Sequence, residues 1–474
     1  MTLRISFTAK QAIQWTEIVF AIVGIMFFAG GFNKLGGLVT LARYGIFLVS
    51  CILLFLRWEM TIYLLKGIPF LALLSSISFV SFYWSEVQSE TMVAVREILY
   101  MSAFGLYLAT RYTLREQLML LCAALQLCAL RSLYEALLGS GVHGGGKFAG
   151  LWKGVYHHKN DLAAIMTLGS GGHLILLFDR NFNRLLAAGG LGFMIFMILM
   201  SGSKSGLVNI FVLVGALFLL RTIRWRNLLM IIIFATLIGT AIPVTTVFFS
   251  NWDNIMEGLG KDPTLSGRTE IWSYAMTQIP KHPYFGFGRK VFWNKRLNYR
   301  VEAGLAVVGE GPRNLLSGTY APPHAHNGFV DTLLETGFVG LGCLGLSILL
   351  FIIRTVKRIY VTETPEDFWP LIFLTFFMMY NFTESLILLG ENVFWITYVA
   401  LASNVRIGAQ KRLFETPSIR ERSLQPAISF TTPQQEAIRS GKSTQISQIS
   451  QATQAKAPQT RTSSQRRYSS ERFR

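Results

Sequence analysis

Val19-Phe20-Ala21-Ile22-Val23-Gly24-Ile25-Met26-Phe27-Phe28-Ala29-Gly30 carries no charged and no hydrogen-bonding side chain. With its neighbours it forms an apolar block of about 20 residues, the length at which a helix crosses a ~30 Å hydrocarbon core. Blocks of this kind recur at 16–32, 37–56, 61–82, 92–110, 117–138, 160–178, 185–201, 205–221, 227–249, 328–353, 367–385 and 390–406. The expected fold is therefore all-α: a polytopic integral membrane protein of about twelve transmembrane helices. The first block is not followed by a small-residue cleavage site and a soluble domain, so it reads as a retained span and not a removed signal.

Composition points the same way. The 474 residues are 51% hydrophobic and 15% charged, whereas a soluble chain carries roughly 25% charged residues. Cys51, Cys122, Cys128 and Cys343 all sit in apolar blocks without CxxC spacing, and they read as small buried hydrophobes.

The net charge of +18 is distributed in a way that excludes nucleic acid as the expected partner. From Lys411 onward there are 12 Lys and Arg against 4 Asp and Glu. Much of the rest lies in short connections: Arg57, Lys66, Arg111, Arg115, Arg180, Arg184, Arg221, Arg224, Arg226, Arg354, Lys357 and Arg358. The opposite connections include Ser85–Glu90, read as acidic, and Asn381–Glu391, read as neutral. The positive-inside rule then puts both termini in the cytoplasm of a multi-pass inner-membrane protein, with anionic lipid headgroups of the bilayer as partners for the basic charge. Arg96–Glu97 and Arg131–Glu135 are ionisable pairs that fall near or within expected spans.

The organisation expected is a membrane domain over 1–410, with a large periplasmic loop at 250–326, and a basic cytoplasmic tail over 411–474. The tail is rich in Ser, Gln, Thr, Pro and Arg and too poor in apolar residues to offset ordering entropy, so it is expected to be disordered. The loop holds nine Lys and Arg against six Asp and Glu. Basic residues on the side that topology disfavours call for another cause, and an anionic substrate is one.

Four stretches could carry chemistry. In His326-Asn327-Gly328-Phe329-Val330-Asp331-Thr332-Leu333-Leu334-Glu335-Thr336-Gly337-Phe338-Val339-Gly340, His326 falls where a span begins. Asp331 and Glu335 share one helix face; Val330, Leu333, Leu334 and Phe338 favour the other. Gly337, Gly340 and Gly345 would let a neighbouring helix approach. In Ser266-Gly267-Arg268-Thr269-Glu270-Ile271-Trp272, Ser266 can cap a helix whose apolar face is Ile271, Trp272, Met276 and Ile279. Arg268 then lies in the first turn, where free N–H groups already favour phosphate. Ser201-Gly202-Ser203-Lys204-Ser205-Gly206 links two spans and can form an anion nest around the lysine charge. His157-His158-Lys159-Asn160 with Trp152 suits the lining of a glycan or phosphate path. No second ligand pair follows His157 and His158 at a metal-binding spacing, so no metal is expected. No P-loop, no GxGxxG fingerprint and no DxD is found, which argues against nucleotide chemistry and a nucleotide cofactor.

His-Asn, nine residues, then Gly-x-x-Gly resembles the signature of the O-antigen ligase and polymerase superfamily, which includes exopolysaccharide polymerases. Ser266–Trp272, followed by His282-Pro283 and Gly286-Phe287-Gly288, is similar to that superfamily's large-loop motif. His157–Leu162 resembles the segment entering a mid-chain span of exopolysaccharide polymerases. The superfamily often has arginine where Lys204 stands, and lysine lacks the planar fork.

The resemblance implies a donor glycan on undecaprenyl pyrophosphate, a glycan or lipid-linked acceptor, no cofactor, and a periplasmic active face. His326 would be the general base, since imidazoles titrate near neutrality. Arg268 would stabilise the leaving pyrophosphate. Lys204, Lys159, His158, Asn160, Asn327 and Glu335 would contact substrate. Polymerisation of repeat units is preferred on His158-Lys159-Asn160 and Lys204, with ligation of finished O-antigen to lipid A-core as the alternative. A transporter is the alternative of a different class, because Arg96, Glu97, Arg131 and Glu135 would serve a permeation path. His324, two residues from His326 and outside the motif, is expected to tolerate alanine.

Overall fold

The structure, a computed structural model, describes residues 9–33, 36–223, 268–308, 321–362 and 364–405. The expected span at 227–249, the tail from 411, and Ser266 lie outside them. The described residues form helices and contain no strand; Val142 and Trp152 make an isolated antiparallel bridge.

The chain begins with α1 (Ala9–Phe28) and α2 (Leu38–Leu56). The expected span at 61–82 is instead two helices, α3 (Trp58–Leu65) and α4 (Pro69–Val80), bent by 92°. Pro69 is the cause. It has no N–H to continue α3, and it pushes Ile68 out of the helical region (φ −125°, ψ 51°), while itself suiting a helix start. There follow α5 (Gln88–Arg111), α6 (Leu114–Leu137), α7 (Lys159–Phe178), α8 (Arg184–Ser201) and α9 (Lys204–Ile223). Two short helices of the loop come next, α10 (Arg268–Gln278) and α11 (Tyr299–Val308). The chain returns through α12 (Gly328–Thr362), α13 (Trp369–Asn381) and α14 (Val393–Asn404).

Seven described helices are long and apolar enough to cross a membrane, or eight if α3 and α4 make one broken span. The protein is thus an all-helical, multi-pass membrane protein. The expected spans at 205–221, 367–385 and 390–406 coincide with α9 and the shorter α13 and α14. Helix α7 is central: 83% of its apolar window is buried, against 11% for α2. Leu38, Leu41, Leu48 and Phe55 of α2 are exposed, as a helix facing lipid requires.

Polar contacts sort the helix ends into two sets. One set holds basic residues matched by carboxylates: Arg115 Nε lies 2.8 Å from Asp179 Oδ2, Arg358 Nε lies 2.6 Å from Asp367 Oδ1, and Arg57 and Arg111 both pair with Glu17. The other set comprises the C-terminal ends of α1 and α13 and the N-terminal ends of α7, α9, α10 and α12.

The loop is locked onto the membrane helices by a break in α12. Gly337 adopts φ 65°, ψ −170° inside this helix, a conformation reserved in practice for glycine. The backbone groups freed there are taken up by the loop. Phe287 N donates to Leu334 O (2.8 Å), Gly288 N to Glu335 O (3.1 Å), Phe338 N to Pro283 O (2.8 Å), and Val339 N to Tyr284 O (3.1 Å). A Cβ on Gly286 would come within 2.5 Å of Leu334 O. Two stretches singled out in the sequence are therefore hydrogen-bonded to one another, and Gly337 serves a backbone break where close helix packing was expected. Among the described residues nothing packs against Gly345. The break also resets the helical phase, leaving Phe338 56% exposed while Val330, Leu333 and Leu334 are buried. Ile271 and Ala275 of α10, with Ile279 just after its end, face inward, and Met276 is 48% exposed. The i, i+4 stripe packs the helix, and Met276 falls off it.

Candidate functional site

Four helices begin at one place, and side chains hold the first turn of three of them, α7, α9 and α12. His158 caps α7, its Nδ1 accepting from Asn160 N (3.2 Å), while His158 N donates to Asp161 Oδ2 (3.2 Å). Gly202 turns the chain with φ 58°, and Ser203 Oγ accepts from Gly206 N (3.4 Å) at the start of α9. Arg268 opens α10. Asn327 caps α12, accepting from Phe329 N (3.0 Å) and Val330 N (3.2 Å). Helix N-termini present N–H groups and partial positive charge.

The side chains there converge on Glu384, in the connection between α13 and α14. His326 Nδ1 lies 3.1 Å from Glu384 Oε2. Arg268 Nη2 lies 3.6 Å from Oε1, and Asn160 Nδ2 donates to the same oxygen at 3.4 Å. A further shell holds Asn160: Ser203 Oγ donates to its Oδ1 (3.3 Å) and Tyr380 OH to its carbonyl (3.0 Å). Lys159 Nζ donates to Gly202 O (3.0 Å), tying the starts of α7 and α9 together.

Burial pushes the Glu384 carboxyl up. The hydrogen bond from His326, with the charges of His326, Arg268 and His324, outweighs it and leaves its pKa below the ordinary carboxylate value. An ionised Glu384 accepts, so His326 Nδ1 carries hydrogen and Nε2 is left as the basic nitrogen.

His326 itself has φ 52°, a region that non-glycine residues rarely adopt. Its neighbours hold it there. His326 N donates to His324 Nδ1 (3.1 Å), and the two rings lie 4.2 Å apart. Ala325 O accepts from Trp272 Nε1 (2.7 Å), and Ala325 N donates to Asp331 Oδ1 (3.1 Å). Burial pushes the His324 imidazole down to about 4, with the charge of His326 adding to the effect. His324 is thus neutral at pH 7 and part of the scaffold, which counts against its expected tolerance of alanine.

Of the residues expected at the site, His326, Arg268 and Asn160 come together. His158 and Asn327 are spent on helix caps, and Lys159 on Gly202. Lys204 is exposed at the start of α9 and forms no ion pair among the described residues. Glu335 faces away from the cluster and pairs with buried Arg289. Glu384 was missed: its connection was read as neutral, although it carries both Glu384 and Glu391. Of the four ionisable residues that suggested permeation, Glu97 pairs with Lys290 (2.7 Å) and Arg131 lies over the Phe32 ring (5.8 Å). Glu135 accepts from Ser140 Oγ at 2.5 Å.

His324, His326 and Glu384 each offer a ligand atom within 4.8 Å of the others, a set able to hold a cation. The Arg268 guanidinium beside Glu384 already supplies positive charge there and opposes a second cation.

Fold and site define a multi-pass membrane protein that gathers an imidazole, an arginine and a carboxylate where several helices begin. Residues 189–345 match the family described as O-antigen ligase. It is 24% identical over 220 residues to the exopolysaccharide production protein ExoQ of Rhizobium meliloti (strain 1021), an alignment covering 45% of this chain and 49% of that protein. The chain therefore spans about half the length of this curated relative.

Proposed function

We propose that this protein is a glycan transferase that polymerises undecaprenyl-pyrophosphate-linked polysaccharide repeat units at the periplasmic face of the inner membrane. The observation that carries this reading is the convergence of His326, Arg268 and Asn160 on Glu384 among four helix N-termini. An acceptor hydroxyl attacks the anomeric carbon, His326 Nε2 takes its proton, and the C–O bond to pyrophosphate breaks. Glu384 holds the imidazole and stabilises its charged form as the proton arrives. The leaving pyrophosphate gathers negative charge beside Arg268 and the helix N-termini. Lys204, exposed at the same helix ends, adds a point charge. Direct displacement inverts configuration, and no step needs a metal.

The relative's role in exopolysaccharide production supports polymerisation, while the matched family's description favours ligation of finished glycan to lipid A-core. Purified protein supplied with a lipid-linked repeat unit separates them: a ladder of lengthening products is expected, unchanged by EDTA. Product only on added lipid A-core would establish the ligase, and EDTA-sensitive product would overturn the metal-free step. Transport without any new glycosidic bond would return the protein to the transporter class. The orientation is tested with a cysteine at Lys261 on a cysteine-free background. An impermeant thiol reagent is expected to label it in intact cells, and labelling only after lysis would reverse the topology.

A further inference from the structure

Two cavities meet at His324, and their walls differ in charge. The smaller, about 350 Å³, is lined by Asp161, Glu384 and Glu391 and by no lysine or arginine. The larger, about 500 Å³, lies between the start of α5, the segment 289–300 and the connection 385–389. Its wall carries five cations, Arg289, Lys290, Lys295, Arg296 and Arg300, and the indole of Trp293.

Not all of that charge is matched. Arg289 pairs with Glu335, and Lys290 with Glu97. Among the described residues Arg300 donates to backbone carbonyls, those of Ala321 (2.8 Å) and Pro322 (2.9 Å), and forms no ion pair with a carboxylate. Lys295 and Arg296 are exposed and form no ion pair among the described residues. Of the carboxylates on the wall, Glu335 is committed to Arg289, and Asp331 to Trp293, Ala325 and Ser385. Glu90 alone remains against three cations. Arg289 is 3% exposed and its Nε finds no acceptor among the described residues, a buried donor left over in this wall.

We propose that this larger cavity is a glycan subsite for an acidic sugar, one bearing a carboxylate or an acidic substituent, next to the transfer site at His326. A pyrophosphate alone would leave most of a cavity this size empty, and Trp293 adds an aromatic surface suited to a sugar ring. The three unmatched cations supply the selectivity, since a neutral sugar leaves them without counter-charge. The inference rests on the glycan-transferase reading and names the substrate class of the same site.

The test measures binding without turnover, so it stands apart from any test of transfer. Full-length protein in nanodiscs is titrated with trigalacturonate, maltotriose and inorganic pyrophosphate, followed by tryptophan fluorescence and saturation-transfer NMR. Trigalacturonate is expected to bind at least tenfold tighter than maltotriose. The Lys295→Ala/Arg296→Ala variant should lose about tenfold in trigalacturonate affinity, and Arg268→Ala should not change it. An unshifted melting temperature of the double variant shows that it is folded; Lys295→Gln/Arg296→Gln replaces it if that control fails. Equal binding of the two trisaccharides, or binding indifferent to both double variants, would overturn the proposal. Displacement of trigalacturonate by micromolar pyrophosphate in the Arg268→Ala protein would also overturn it, assigning the cavity to phosphate instead.

Discussion

Glu17 and Glu384 are both largely buried carboxylates that gather partners from distant parts of the chain, and they do different work. Glu17 on α1 is held by Arg57 and Arg111, two permanent cations that join α1 to the end of α2 and the end of α5. Glu384 holds one arginine at 3.6 Å, an amide, and an imidazole whose charge can change. Glu384 also borders a cavity of about 350 Å³. Burial alone does not separate a structural carboxylate from a functional one. The chemistry of the partner does, together with room for something to arrive.

The largest effects should appear on the Glu384 side. His326→Ala removes the proposed base and should cost about 10²–10⁴-fold in transfer, with binding of lipid-linked donor close to wild type. Wild-type polymer from this variant would remove the mechanism. Arg268→Ala should cost about 10²–10³-fold, whereas Arg268→Lys keeps the charge without the fork and should retain weak activity. Full activity of Arg268→Ala would place the pyrophosphate elsewhere.

Glu384→Gln and Glu17→Gln sharpen the comparison directly. Glu384→Gln should lower turnover by about tenfold to a hundredfold, because an amide cannot stabilise the imidazolium. Glu17→Gln should leave turnover close to wild type and instead lower the melting temperature in detergent, since it leaves two arginines without a carboxylate. An equal loss of turnover in Glu17→Gln at an unchanged melting temperature would erase the distinction.

His324→Ala should act more mildly, about tenfold on turnover, by releasing the backbone of His326. It carries a pH signature as well. The folded His324 sits at about 4, below the roughly 6.5 of an unfolded histidine. Its contribution to stability is therefore present above the unfolded value and lost as pH falls toward 4. His324→Ala should accordingly lose less stability than wild type across that window, as thermal melts would report; identical acid sensitivity would exclude this role. The smallest effect is expected from Lys204→Arg, which should match or exceed wild-type activity because a guanidinium adds a bidentate contact to the same exposed position. Abolished polymer with normal protein levels would show that Lys204 is more than a point charge.

Much of this was legible in the sequence. Apolar blocks placed the helices closely, since length and hydropathy are local properties; 159–178 and 184–201 differ from expectation by one residue at one end. Pro69 could have announced the bend between α3 and α4, but the apolar residues around it masked the break. His326 and Arg268 were singled out by the motifs they sit in, and each lies at or just before a helix start, Arg268 opening α10 and His326 two residues ahead of α12. Glu384 was not, because nothing near it in sequence signals its role. It becomes a hub only when α7, α10 and α12 arrive around it. Asn327 and His158 were assigned to substrate although caps and ligand groups draw on the same polar residues. Only the neighbouring N–H groups tell them apart.

The break at Gly337 has a practical consequence for engineering. Because the loop segment 283–288 completes the backbone of α12 at 334–339, loop and bundle are not interchangeable modules. A chimera that takes the loop from a relative must carry both stretches from the same parent. Crossing over between them would splice a helix to a plug shaped for another gap.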